Sequence, residues 1–189
     1  MKPAILKKKG NLELCELTPE LTECIDALYM WENDESTRHL HLVTRSKKEF
    51  NELHITRESL LKRIQTAQTS DDFFLWMILE NKKPVCFLTA QIDPRQLLRH
   101  VPGTFWPSLL IGEKSARGRG IGKQAMLWLE EIAVEMGCKR IEIGVFEFNT
   151  AARRLYESLG YTEFARTPEF TWYDGALRTD LRLEKALNC

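Results

Sequence analysis

Nowhere in the 189 residues do about 18 apolar residues run together, the length a membrane-spanning helix needs, so no span is expected. The opening Met1-Lys2-Pro3-Ala4-Ile5-Leu6-Lys7-Lys8-Lys9 lacks an apolar core of signal-peptide length, which argues against export. Charge is not in surplus either. The 27 basic and 27 acidic residues cancel, so no overall field draws the chain to nucleic acid or to an anionic membrane, and neither is expected as a partner. Cysteine is sparse: Cys15, Cys24, Cys86, Cys138 and Cys189 are an odd number at irregular spacing, with no Cys-x-x-Cys pair. That pattern speaks against a disulfide frame and a thiolate zinc site, and it reads as the reduced thiols of a cytoplasmic protein. The 4 histidines show no metal-ligand spacing, so no metal is expected. Internal repeats and low-complexity linkers are missing too. The length suits one domain over residues 1–189 with a sizeable core, as a monomer or homodimer.

What is present is a regular alternation of patterns. Residues 12–17 alternate apolar and polar as a half-buried strand. Thr18 then reads as a helix N-cap with Pro19 at the first helical position, the helix running to about Trp31. A second helix opens at Thr56, with Ser59 as a further capping residue and a Leu60, Leu61, Ile64 face, and ends by Asp71-Asp72. Residues 73–79 and 85–92 form a hairpin of buried strands, and residues 93–103 an irregular connection. A strand from Phe105 leads to a helix over 121–136, predicted to bury Ile121, Ala125, Leu129, Ile132 and Met136 and to turn Lys123, Glu130, Glu131 and Glu135 to water. Gly137 fits its C-cap. Residues 139–146 alternate as a strand, Asn149 opens a helix that Gly160 closes, and residues 161–173 and 177–187 make a last hairpin over Asp174-Gly175. The predicted order is β-α-α-β-β-β-α-β-α-β-β.

The stretch this chain is organised around is Arg117-Gly118-Arg119-Gly120-Ile121-Gly122-Lys123. It stands between a predicted strand and a predicted helix. Glycines at every second position leave the backbone bare, and first-turn amides have no partner inside a helix, so the turn suits a phosphate or pyrophosphate. Gln124 after Lys123 breaks the Walker pattern, and the glycine offsets are wrong for a dinucleotide fingerprint. What remains, Arg117, Gly120 and Gly122 as Arg-x-x-Gly-x-Gly, resembles the coenzyme A pyrophosphate loop of the GNAT superfamily of N-acetyltransferases. A second block, from Asn149 through Ala152, Leu155 and Tyr156 to Gly160-Tyr161, resembles the same superfamily's Asn-x-x-Ala-x-x-Leu-Tyr-x-x-x-Gly-Phe/Tyr signature. Trp31, Asn33 and Arg38 are similar to the Trp-x-Asn-x-x-x-x-Arg stretch of the ribosomal-protein N-terminal acetyltransferase type. The close resemblance covers roughly residues 105–175.

The resemblance implies an α/β fold with a mixed, mostly antiparallel twisted sheet of about seven strands flanked by about four helices. It implies acetyl transfer from acetyl-CoA, without a metal, to a primary amine of a small molecule or peptide. The pyrophosphate would rest on Gly118, Arg119, Gly120, Ile121, Gly122 and Lys123, with Arg117 adding charge. The pantetheine arm would lie along the backbone of Leu110, Ile111 and Gly112, with Asn149 and Ala152 beside it; Asn149 also fits a plain N-cap. Tyr156 would protonate the departing thiolate, since a phenol stays protonated at neutral pH. The early helices would wall the acceptor site with Trp31, Glu32 and Asn33. Glu113 is the candidate general base, and Glu32, Asp34, His39, His41 and His100 are weaker ones. A catalytically idle acyl-CoA-binding module and an ATP-binding protein are the competing readings.

Overall fold

The computed structural model describes residues 4–187, so Cys189 lies outside the described residues. The chain opens with a hairpin of β1 (Ile5–Lys9) and β2 (Leu12–Glu16). The first of these strands has no counterpart in the predicted order, because Lys7-Lys8-Lys9 hides any alternation. Next comes α1 (Thr22–Asn33), whose N-cap is Leu21 rather than Thr18. The reason is local: the Leu17 amide still bonds the Leu75 carbonyl, so Thr18, Pro19 and Glu20 are consumed in a turn that carries the chain off the sheet.

Two short helices, α2 (Glu35–Arg38) and α3 (Lys47–Glu52), follow where no periodicity could be read. The helix α4 (Arg57–Gln68) begins on a reciprocal capping box, the Thr56 side chain accepting from the Ser59 amide and the Ser59 hydroxyl from the Thr56 amide. Then come β3 (Phe73–Glu80), β4 (Lys83–Ile92), β5 (Thr104–Ile111), a single 3-10 turn at Lys114–Ala116, α5 (Ile121–Glu135), β6 (Arg140–Phe146), α6 (Thr150–Ser158), β7 (Thr162–Tyr173) and β8 (Ala176–Ala186). The closing turn has positive φ at Asp174 and Gly175, as a tight hairpin over those two residues requires.

One 8-stranded sheet results, in the order β1-β2-β3-β4-β5-β6-β8-β7, antiparallel except between β5 and β6. Its two faces bury separate apolar layers. Leu17, Leu28, Leu60, Ile64, Met77 and Phe87 pack between the sheet and α1 and α4. Leu88, Phe105, Ile121, Met126, Leu129 and Ile143 pack beneath α5 on the other face. Two predicted positions on α5 are corrected. Met136 is exposed, being the C-cap where the helix leaves the sheet, and Glu130 is half-buried because Lys185 of β8 reaches it at 2.7 Å.

The feature that positions the site is a failure of pairing. Strands β5 and β6 meet only at Thr104–Arg140 and Phe105–Ile141, while β5 continues against β4 to Ile111 and β6 against β8 to Phe146. Beyond Phe105 the sheet opens into a wedge. Pro107, which cannot donate to a ladder, is tolerated in β5 because one side of the strand is unpaired there. The outer edges are irregular as well: β1 is a strand of lysines, and β7 shifts register between Glu163 and Ala165 and between Thr167 and Thr171, with Glu169 at φ 51°. No helix among the described residues is long and apolar enough to cross a membrane, and no group of acidic, cysteine and histidine side chains there could hold a metal. Cys15, Cys24, Cys86 and Cys138 are buried, and Cys15, Cys24 and Cys86 form no disulfide among the described residues.

Candidate active site

At the mouth of the wedge lies the glycine turn. Gly118 and Gly120 sit at φ 71° and 84°, a region that side-chain-bearing residues avoid, and a Cβ on either would project into open space. Among the described residues, none of the amides from Gly118 to Lys123 donates a hydrogen bond; the Gln124 amide is the first to bond, to the Gly120 carbonyl at 3.0 Å. A row of unused donors at the positive end of a 15-residue helix is an anion receptor. Gly122 serves packing instead. A Cβ there would stand 3.2 Å from Leu155 Cδ2 and 3.4 Å from Ile111 Cδ1, so its bareness seats α5 against α6 and β5.

The cations around the turn divide in a way their spacing does not reveal. Arg117 is turned inward: its Nε donates to the Ile111 carbonyl at 3.0 Å and its Nη2 to the Gly112 carbonyl at 3.2 Å, tying the end of β5 to the turn. Arg119 is held by the Glu80 carboxylate through two bonds, 2.9 and 2.7 Å. The charge predicted for a phosphate is therefore largely committed within the protein. Lys123 is exposed and makes no ion pair among the described residues, which leaves it the cation at the turn most able to meet an anion.

At the end of β5, Leu110 faces the α1 side and Ile111 the α5 side, as strand alternation requires. Gly112 has a specific neighbour. A Cβ at this position would fall 1.8 Å from Cδ2 of Trp31, inside the indole ring. The close approach expected at this glycine is thus made by a tryptophan. Trp31 is 8% exposed and belongs to the apolar layer under α1.

The other two predicted acceptor residues are also occupied. Asn33 donates to the Tyr29 and Ile55 carbonyls and accepts from the Ile55 amide, lashing the segment before α4 to the end of α1. Glu32 is buried against Arg63 at 2.7 Å, its second oxygen without a partner among the described residues, and burial pushes its carboxyl pKa up. Arg38 of the same motif bonds the Phe50 and Leu53 carbonyls and lies over the Phe50 ring. The motif's side chains therefore brace the end of α1 against its neighbours. Buried His41 has its pKa lowered to about 4, chiefly by desolvation, and is neutral at physiological pH.

Glu113 is engaged in the same way. Its carboxylate caps the 3-10 turn, accepting from the Ser115 amide at 3.1 Å and the Ser115 hydroxyl at 3.0 Å. Those bonds hold its carboxyl below the usual range, and so make it a poorer proton acceptor. Asn149 caps α6 through the Ala152 amide at 3.2 Å. Tyr156, on the same helix, is 7% exposed, and its hydroxyl makes no hydrogen bond among the described residues. Burial, with the Cys86 thiol nearby, raises its pKa to about 12.

Sequence reasoning missed the opposite wall. Trp106 on β5, Glu142 and Gly144 on β6, and Asp180 and Arg182 on β8 form a buried charged cluster. Asp180 accepts from Arg182 Nε at 2.5 Å, and Glu142 lies 3.3 Å from Arg182 and 2.7 Å from Arg140. The Arg182 guanidinium lies over the Trp106 ring at 4.7 Å. Beside this cluster Phe146, Phe148, Tyr173 and His39 stack, Phe148 to Tyr173 at 4.0 Å and His39 to Tyr173 at 4.9 Å. Strand alternation over 139–146 hinted at a second buried face; nothing in the sequence said which side chains of β8 would meet it.

This geometry has parallels among known proteins. Over 47 residues the chain is 43% identical to the Bacillus subtilis "uncharacterized N-acetyltransferase YycN", a match covering 25% of this chain and 30% of that relative. The match thus spans less than a third of the relative's length. A ribosomal-protein-S5-alanine acetyltransferase from Vibrio fischeri superposes with a TM-score of 0.74 at 13% identity, over 96% of each chain. The spermidine N-acetyltransferase from Vibrio cholerae, in complex with CoA and spermine, superposes with a TM-score of 0.75 at 12% identity, over 94% of this chain and 96% of that one. At such identities the likeness is one of fold. The profile of the Acetyltransferase (GNAT) family matches residues 23–161, most of the chain. With the turn, the wedge and this match in hand, the chain belongs to the Acetyltransferase (GNAT) family.

Proposed function

We propose that this chain is an acetyl-CoA-dependent N-acetyltransferase in which a primary amine attacks the thioester directly, within a ternary complex. The observation that carries the reading is the wedge between β5 and β6, with the unbonded amides of Gly118 to Lys123 at its mouth. A diphosphate fits those amides, and a Cβ-free cradle at Gly118 and Gly120 leaves room for it. The unpaired side of β5 from Leu110 to Gly112 offers backbone to an extended arm, much as an added strand would use it. Acetyl-CoA supplies an activated acetyl group; everything else is supplied by the chain.

Within this reading each residue has a physical task. The turn and Lys123 hold the nucleotide end, and Arg117 fixes the shape of the strand end, not the phosphate. Tyr156 stays protonated at neutral pH and presents a hydroxyl with no competing partner, ready to donate as charge grows on sulfur. The Trp31, Glu32 and Asn33 stretch stiffens the acceptor wall. Relatives of the same fold carry the names of enzymes for a ribosomal-protein alanine and for spermidine. A peptide N-terminus, a polyamine, an aminosugar or an antibiotic amine is accordingly the acceptor class to try.

The test is thiol release from acetyl-CoA across such an amine panel, with Tyr156→Phe alongside. We expect turnover with at least one amine, and a fall in kcat of about 10²-fold in the variant, the usual worth of a general acid, with KM for acetyl-CoA unchanged. Thermal stabilisation by coenzyme A without turnover of any amine would instead identify an idle binding module. Stabilisation by ATP and none by coenzyme A would remove the reading altogether.

A further inference from the structure

The geometry points to Asp180 as the base that takes the proton from the acceptor amine, with bare Gly144 opening the path to it; this rests on the acetyltransferase reading above. Asp180 stands on β8 directly opposite Phe146 of β6, and the adjacent same-face pair is Gly144 opposite Arg182. It is 3% exposed. Its Oδ2 receives the Arg182 Nε, but Oδ1 accepts no hydrogen bond among the described residues. That free oxygen lies 3.1 Å from the point where a Cβ on Gly144 would stand, and Trp106 Cη2 lies 3.2 Å from the same point. Continuing the register of Thr104 with Arg140 puts Gly144 level with Ser108, past the last β5–β6 pair. The oxygen therefore looks over a glycine into the opened sheet, across from the strand that would carry the thioester arm.

An incoming ammonium supplies the hydrogen-bond partner that this carboxylate oxygen lacks. Burial raises the Asp180 pKa, nearby Glu142 raises it further, and the Arg182 bond opposes both. A carboxyl so placed is a better proton acceptor near neutral pH than an exposed one. Phe146, opposite Asp180 across β6 and β8, heads a row of rings with Phe148, Tyr173 and His39 that flanks it with aromatic surface. Glu113 is bonded to the Ser115 amide and hydroxyl; Glu32 also has an unpartnered oxygen, but it stands on α1 against Arg63 of α4 and not on the strands that flank the opening.

The protons balance. The arriving ammonium gives one proton to Asp180, which releases it to water after the reaction. The neutral nitrogen forms the bond to the acetyl carbon as the carbon–sulfur bond breaks. Sulfur takes the proton of Tyr156, and the nitrogen's second proton returns to the phenolate through water. The products are an amide, a free thiol and one proton.

The experiment compares wild type, Asp180→Asn and Asp180→Glu on an amine that wild type turns over. Asp180→Asn is expected to lower kcat/KM at pH 7 by about 10²-fold or more, with the coenzyme A thermal shift unchanged. The deficit should shrink as the pH rises towards the amine's own pKa, since the amine then arrives neutral. Asp180→Glu should recover part of the rate. Gly144→Ala, which puts a methyl 3.1 Å from Oδ1 and 3.6 Å from the Arg182 Nε, should also lower kcat/KM and spare coenzyme A binding, so the test survives if Asp180→Asn does not fold. An Asp180→Asn rate within threefold of wild type, a deficit that does not change with pH, or an unaffected Gly144→Ala overturns the assignment of the base alone. A wild-type chain that turns over no amine removes the acetyltransferase reading, and the base with it.

Discussion

Glu142→Ala is expected to lower the stability of the protein by about 3–5 kcal/mol, the usual effect of removing one partner from a buried ion pair. Glu142 is 0% exposed and accepts from Arg140, Arg182 and the Leu98 amide, the last at 2.8 Å. Its loss takes one carboxylate from each of two guanidiniums, with side-chain exposures of 11% and 7%, leaving Arg140 to Glu184 and Arg182 to Asp180. It also frees the irregular segment at residues 93–103, which Glu142 holds at its middle through the Leu98 amide while Asp93 closes its ends, through the Gly103 and Thr104 amides at 2.9 and 2.8 Å. Urea denaturation measures it: the midpoint should fall with little change in slope. Glu142→Gln keeps the acceptor for Leu98 and should lose less. A loss below about 1 kcal/mol in the alanine variant, the range of exposed pairs, would show that water reaches the cluster.

Gly112→Ala should be nearly as damaging, and for a reason of shape. A methyl there overlaps three carbons of the Trp31 indole at 1.8, 2.1 and 2.3 Å, too near for a small adjustment. Overpacking of this kind costs about 1–3 kcal/mol, and here either the ring or the end of β5 must move. Trp31→Ala alone should cost about 3–5 kcal/mol through the cavity it leaves. The decisive measurement is the double mutant. With the ring gone, Gly112→Ala should be close to neutral, so the two substitutions are strongly non-additive. Additive losses would mean that the glycine is required by the backbone and not by its neighbour. In the same variants, a displaced indole should raise KM for acetyl-CoA, because the strand end that would hold the thioester arm has shifted.

These cases show what could be read from the sequence. Elements set by local chemistry were legible: the Thr56 and Ser59 capping box, the helix opening at Ile121, the hairpin over Asp174-Gly175, and the two motif blocks that carry the family resemblance. Strand β1 was not, because three lysines erase the period-2 signal, and α2 and α3 are too short for a period to show. Nor were the partners of charged side chains. Arg117 and Arg119 read as phosphate ligands from their spacing, whereas their acceptors, Ile111, Gly112 and Glu80, include a strand far off in sequence. The motif at Trp31, Asn33 and Arg38 read as an acceptor wall, whereas its side chains hold the chain together. Long-range pairings such as Asp180 beside Gly144 follow from strand register, which no local pattern specifies.

The irregular margins of the sheet have a consequence for association. A strand with a free row of amides and carbonyls is a template for another strand, and fibrils grow by that route. Here one margin is the short, lysine-bearing β1, whose charged side chains disfavour an incoming strand. The other is β7, broken by two register shifts and by Pro168, which offers no amide. Growth by strand stacking is disfavoured at both margins, while β5 beyond Phe105 keeps a free side within the wedge, shielded from other copies.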